Sequence, residues 1–384
     1  MEKLIYLDNN ATTKIDSRVL EKMLPYMDEL YANPSSAHSF GLSILKEIDN
    51  ARNVISSLIN VNPNDLIFTS GSTESINLAI KGYALQNISR GNHIVSVTTE
   101  HKASLETLAY LEQLGFEISL VPVNSDGLVK VSDIEKEFKS TTILVSVMTV
   151  NNETGVIQPF EEIADLCFNR NIYFFSDATQ SPGKHKLDTK ATKIPSLAIS
   201  AHKFYGPKGI GCLYIKDLFK NKYLYSPIIH GGGHQSNLRS GTYNAPAIIG
   251  FAEACNIAKS ESTNDIIQIK NLRDSLEKQL LKIPNTFLNG SKTSRVSNVS
   301  NICFPGLDAN LFIKELRNIS VSNGSACTSS IMEPSHVLTS MGLSKENAFS
   351  SIRFSVGKFN TVEEINLTSS IVHKLIMKNN TCYA

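Results

Sequence analysis

Five short segments of this sequence put reactive or ligand-holding side chains directly after apolar runs. In Ser200-Ala201-His202-Lys203-Phe204-Tyr205-Gly206-Pro207-Lys208-Gly209, which follows Leu197-Ala198-Ile199, a lysine stands at a strand end. An amine desolvated beside other cations loses basicity and becomes able to form a Schiff base with a carbonyl. Phe68-Thr69-Ser70-Gly71-Ser72-Thr73-Glu74-Ser75 reads as a strand entering a turn that opens a helix. The N–H groups of such a helix start, with the Ser72 and Thr73 hydroxyls, can hold a phosphate dianion. Tyr173-Phe174-Phe175-Ser176-Asp177-Ala178-Thr179-Gln180 delivers a carboxylate that could keep a ring nitrogen protonated, and Gln180 could donate to a phenolate-type oxygen. Thr98-Thr99-Glu100-His101 supplies an imidazole suited to ring stacking and proton transfer near neutrality. Val150-Asn151-Asn152-Glu153-Thr154-Gly155 supplies an amide for substrate or cofactor.

Read singly, each segment has an ordinary alternative. Lys203 could be a solvated loop charge, Ser72 and Asp177 helix or turn caps, and His101 and Asn152 turn residues. Together the five supply an amine, a phosphate cradle, a carboxylate, an imidazole and an amide at successive strand ends, which independent caps would not.

The elements that must position them emerge from apolar patterning. Runs at 66–70, 93–99, 117–123, 142–150, 172–176, 197–200 and 211–215 read as strands, with helical patterns at 102–114, 131–138 and 160–169 between them. This alternation predicts an α/β fold with a mostly parallel sheet covered on both faces, whose ligands bind beyond the carboxyl ends of the strands. A long helix over about 246–282 precedes a second set: strands at 299–304, 319–321 and 351–356, and helices at 308–317 and 362–377. The 384 residues allow one large and one smaller domain. With 37 basic and 36 acidic residues there is no field to attract nucleic acid. The polar Asp8-Asn9-Asn10 cuts short any signal-peptide-like run and no segment has the length of a membrane span, so a cytoplasmic protein is expected. Six cysteines scattered without CxxC pairs argue against a metal site and for reduced thiols.

With these segments in place, the chain resembles the NifS/IscS-type cysteine desulfurases, fold type I pyridoxal 5'-phosphate (PLP) enzymes of the class V aminotransferase group. The likeness runs from Tyr6-Leu7-Asp8-Asn9-Asn10-Ala11-Thr12-Thr13 through Asn33-Pro34-Ser35-Ser36 to Ser351-Ile352-Arg353-Phe354-Ser355. The resemblance implies a large PLP-binding domain over 15–260 with a seven-stranded sheet, and a smaller α+β domain from 1–14 and 261–384. It implies that Lys203 carries PLP, that Ser72, Thr73, Ser200 and His202 contact its phosphate, that Asp177 and Gln180 face the ring nitrogen and phenolate oxygen, and that His101 stacks on the ring. Asn152 and Arg353 would bind cofactor or substrate, the latter gripping the α-carboxylate bidentately. Thr242, in Arg239-Ser240-Gly241-Thr242, would reach a phosphate across a homodimer interface.

One segment separates a desulfurase from an aminotransferase or selenocysteine lyase on the same scaffold. In Val321-Ser322-Asn323-Gly324-Ser325-Ala326-Cys327-Thr328-Ser329-Ser330 a cysteine sits in a small polar loop, fit for a nucleophile that visits a buried substrate and then serves an outside acceptor. The resemblance makes Cys327 the persulfide-forming residue, L-cysteine the substrate, and an iron–sulfur scaffold or tRNA-thiolating enzyme the sulfur acceptor. Cys167, Cys212, Cys255 and Cys303 read as inert small apolar residues. Asn323 and Gln235-Ser236-Asn237 depart from the usual residues of their loops.

Overall fold

A computed structural model describes residues 4–324 and 333–382, so Cys327 lies outside the described residues. The central sheet has seven strands: β2 (Leu66–Thr69), β3 (His93–Val97), β4 (Glu117–Val121), β5 (Thr142–Ser146), β6 (Tyr173–Asp177), β7 (Ser196–Ser200) and β8 (Gly211–Ile215). A short strand, β1 (Ile5–Tyr6), precedes them. Their spatial order is β2-β8-β7-β6-β5-β3-β4. β8 runs antiparallel to β2 and β7, and the other pairings are parallel. The mostly parallel seven-stranded sheet expected from the sequence is therefore present.

The period-two projection of strand side chains explains how one sheet makes two cores. Leu197 and Ile199 of β7, Val145 of β5 and Val95 of β3 point to one face. Ala198, Leu144 and Ile94, their alternate neighbours, point to the other. Helix Ser39–Leu58 covers the first face with Ile44, Ile48, Ala51 and Ile55, a stripe at helical spacing. Leu108 and Leu111 of helix Lys102–Gln113 cover the second, with Ile76 and Tyr83.

Helix Ala245–Leu280 joins this layer to a second core. At 1.5 Å per residue its 36 residues span about 54 Å. Ile248, Phe251 and Cys255 pack on the first core, whereas Leu272, Leu276 and Leu280 pack with Ile5, Leu7, Ile302 and Phe354. That second core holds the antiparallel sheet of β9 (Phe287–Asn289), β10 (Val299–Cys303) and β12 (Ser351–Ser355), in the order β12-β10-β9. β1 pairs in parallel with β11 (Ile319–Ser320), which ties the N-terminus into the C-terminal core. From there the chain crosses back: Asp8 bridges to Ser355, and Thr13 N–H donates to His202 O at 2.9 Å. Segment 8–13 is thus a strap across the junction of the two cores.

Several elements lie outside the sequence reading, among them helices Ser17–Met23, Ser39–Leu58 and His336–Ser340 and strand β9. In the apolar run 142–150 the strand ends at Ser146, and Val147 N–H and Thr149 N–H go on bonding β6 at Phe175 O (3.2 Å) and Asp177 O (2.9 Å) before the turn that carries Asn151 and Asn152. Among the described residues no helix is long and apolar enough to cross a membrane.

Gly211 allows β8 to pass close under the turn at Gly71. A Cβ there would stand 2.6 Å from Ile199 O and 2.9 Å from Gly71 Cα. Gly211→Ala is expected to cost about 1–3 kcal/mol of stability, read from the urea midpoint. An unchanged midpoint would contradict this close approach.

Candidate active site

The parallel strands β3, β5, β6 and β7 end at one edge of the sheet, and the turns that leave them meet there. Ser72, Thr73, His101, Asn152, Asp177, Gln180, Ser200, His202 and Lys203 line a single cavity of about 520 Å3. Ala11 and Thr12 of the strap form another part of its wall. Thr242 is exposed and Arg353 lies behind the wall, so neither lines this cavity.

Lys203 leaves the end of β7 on a single turn, Ala201–Lys203. Its Nζ donates to the carbonyls of Asn10 at 2.8 Å and Ala11 at 2.9 Å. Burial, and then the field of Arg353, push its pKa down to about 8, with Asp177 and Asp8 opposing. An appreciable fraction of the amine is then neutral near pH 8, the condition for attack on a carbonyl.

The helix start at Ser72 is open. Gly71, its N-cap, has φ +150° and supplies no side-chain cap, so the first N–H groups are not taken by an intrachain carboxylate. Glu74 accepts from Ser70 N–H at 2.7 Å and pairs with Arg239 at 2.8 Å. The His202 ring approaches Thr12 Oγ1 at 3.1 Å, and burial with Lys203 and Lys208 depresses its pKa to about 4, so the ring is neutral.

Asp177 is both a turn residue and a cavity residue: its Oδ1 accepts Thr179 N–H at 2.9 Å, and the side chain lines the cavity. Thr179 Oγ1 also donates to Ser72 Oγ at 2.6 Å, tying the carboxylate to the open helix start. His101 Nδ1 accepts Ala103 N–H at 3.1 Å, which places the proton of the neutral ring on Nε2. Desolvation lowers its pKa, partly countered by Asp177. Arg353, 5% exposed, donates to Asp8 Oδ1 at 2.6 Å and Asn152 O at 3.2 Å, and its Nε has no partner among the described residues.

Sequence reasoning missed three contributors. Asn10 donates to Asn152 O at 2.9 Å while its carbonyl takes Lys203 and Gln180. The polar run after Leu7 was the available signal. Glu100 accepts Met148 N–H at 2.5 Å, and Glu153 accepts from Ser335 at 2.5 Å. Nothing in the sequence marks those two acids as buried. Cys167, Cys212, Cys255 and Cys303 are buried and unpaired, with thiol pKa values pushed up by burial, as inert packing residues should be.

An amine, an open helix N-terminus and a carboxylate on one cavity wall answer in kind to a carbonyl, a phosphate dianion and a ring nitrogen, the three handles of PLP. The aminotransferase class-V family model matches residues 5–367, and the chain belongs to that family, whose members use PLP. A relative from Tolumonas auensis, cysteine desulfurase IscS, is 45% identical over 381 residues, covering 98% of this chain and 94% of the relative. Among solved structures, a NifS-like protein aligns with a TM-score of 0.90 at 35% identity, covering 97% of this chain and 99% of the other. A structure described as SspA in complex with cysteine aligns at 0.82 with 33% identity, covering 93% and 100%.

The two buried acids give the fold a pH dependence. Burial raises Glu153 to about 7 and Glu100 to about 8, against an ordinary 4.5. Between those values the unfolded chain has released protons that the folded chain keeps, so stability falls as pH rises from about 4.5 to about 8. Glu153→Gln is expected to flatten the fall in Tm between about pH 5 and 7. A profile with the parental slope would contradict the protonated state of Glu153.

Proposed function

We propose that this chain is a PLP-dependent cysteine desulfurase that takes sulfur from L-cysteine, releases L-alanine and carries the sulfur as a persulfide on Cys327. The observation that supports it most is the low-pKa Lys203 amine on the same cavity as the open helix start and Asp177. The family, and relatives named for this activity, support the same reading.

PLP, when bound, supplies an electron sink for charge that develops at the substrate α-carbon. Everything else falls to the chain. Ser72 and Thr73, with Ser200 and His202, hold the phosphate, and Asp177 keeps the ring nitrogen protonated. Gln180 presents an N–H to the ring oxygen. Lys203 binds the cofactor and, once released from it, moves a proton at the substrate α-carbon, a task matched to a pKa of about 8. The substrate carboxylate takes over Arg353 from Asp8 and gains the unpartnered Nε, giving a two-point grip. Asn152 orients the substrate, and His101 Nε2 moves a proton at the thiols.

Cys327 then acts as thiolate nucleophile on the substrate sulfur: an S–S bond forms as the carbon–sulfur bond breaks, and the carbon fragment is protonated to alanine. An acceptor such as an iron–sulfur scaffold or a tRNA-thiolating enzyme takes the sulfur onward. A homodimer is part of the proposal, with exposed Thr242 completing the partner's phosphate site. The four buried cysteines that remain unpaired favour a reducing, cytoplasmic setting.

Cys327→Ser should keep the visible cofactor band while alanine release from cysteine falls at least about 100-fold. Mass spectrometry of the parent after cysteine should place one added sulfur on the peptide bearing Cys327. Undiminished alanine and sulfide production by the serine variant would overturn the persulfide step.

A further inference from the structure

Lys184 is a lysine that neither the sequence pattern nor the proposed chemistry assigns. It lies seven residues beyond the end of β6, in Ser181-Pro182-Gly183-Lys184. Its Nζ donates to Gln180 Oε1 at 2.5 Å and to Asn10 Oδ1 at 3.2 Å. Both acceptors are amide oxygens. Desolvation, and then the fields of the cations Lys203 and Arg353, hold the Lys184 amine well below the ordinary lysine range. The acids within the site are committed elsewhere, Asp8 to Arg353 and Asp177 to Thr179. Glu74, paired with Arg239, the neutral rings of His202 and His101, and Lys208 are the other titratable groups on the cavity, and Asp265 and Lys358 share a second cavity with Lys184. A desolvated amine with no acid partner is a costly way to fill space that a methionine could fill, so its hydrogen bonds need another reason.

The Gln180 carboxamide supplies that reason. Its Nε2 donates to the backbone carbonyl of Asn10 at 3.0 Å, an acceptor only, so the nitrogen must lie on that side. Oε1 then faces Lys184, and the second N–H of Nε2 remains for the cavity that Gln180 lines. Were the amide to flip, Nε2 would meet the Lys184 donors and Oε1 the Asn10 carbonyl, two repulsive contacts in place of two hydrogen bonds. Asn10 is braced in turn: its Oδ1 also accepts from Asn298 at 2.9 Å, and its backbone N–H donates to Ser355 Oγ at 2.9 Å.

We infer that Lys184 is a positioning residue: by donating to Gln180 Oε1 and Asn10 Oδ1 it locks the Gln180 carboxamide with an N–H directed at the ring oxygen of the cofactor. The inference rests on the proposed reading that Gln180 faces that oxygen. A donated N–H favours the anionic form of an oxygen, so losing it raises the pH at which the lysine-bound cofactor loses its proton and its visible band changes.

The test is a pH titration of that band in the holoenzyme without substrate, for Lys184→Met, Gln180→Leu and the double variant. Each single variant is expected to raise the midpoint by about one pH unit, and the double variant to add nothing beyond Gln180→Leu, because Lys184 acts through Gln180. Lys184→Gln, which keeps an N–H for Gln180 Oε1 without a charge, should return at least half of the shift. Additive shifts would make Lys184 a mere nearby charge and overturn the positioning role, as would an unmoved midpoint in Lys184→Met. An unmoved midpoint in Gln180→Leu alone would instead sink the placement of Gln180 opposite the ring oxygen. Should Lys184→Met fail to fold or load, Lys184→Gln in parental and Gln180→Leu backgrounds carries the same test, with PLP affinity of the apoprotein as second readout.

Discussion

A lysine amine held away from bulk water next to an arginine is the interaction on which the rest of this structure depends. Lys203 and Arg353 come from segments packed into different cores, and desolvation of the amine, followed by the field of Arg353, brings it to a pKa of about 8. Such a group has to be held by acceptors that do not neutralise it. The carbonyls of Asn10 and Ala11 do that, where a carboxylate in their place would raise the pKa again.

That arrangement explains the odd path of the N-terminus. The strap starts in the C-terminal core by pairing β1 with β11, bonds to β12 through Ser355, and only then lies along His202 and Tyr205 of the large sheet. Asn10 thereby holds the amine and the Gln180 amide with its backbone carbonyl and the Asn152 loop with its side-chain amide. The long helix Ala245–Leu280, common to both cores, fixes the frame across which it is stretched.

Much of this was legible in the sequence, for a physical reason. Parallel strands are continuous apolar runs, so the polar residue that ends each run is visible, and in this topology all such ends share one edge. Lys203, Asp177, His101 and Asn152 were found that way. Glu100 and Glu153 were not, since an acid beside a strand end looks the same whether it faces water or is sealed under a loop. Lys184 and Asn10 act through side-chain and backbone hydrogen bonds between segments about 170 residues apart or more, which no local pattern records. Helix Ser39–Leu58 carries a regular apolar stripe and was readable, but it lies ahead of the α/β alternation that organised the reading. Gln235, which looked like a departure in its loop, has a structural use: its carboxamide pairs with both Phe68 N–H and C=O on the edge strand β2.

The central claim is that Lys203, of all the lysines in the chain, is the amine that bears the cofactor. Borohydride reduction of the PLP-loaded protein followed by peptide mass spectrometry tests it directly. The account requires the phosphopyridoxyl group on the peptide containing Lys203. Its appearance on Lys184 or Lys208, with Lys203 unmodified, would contradict it.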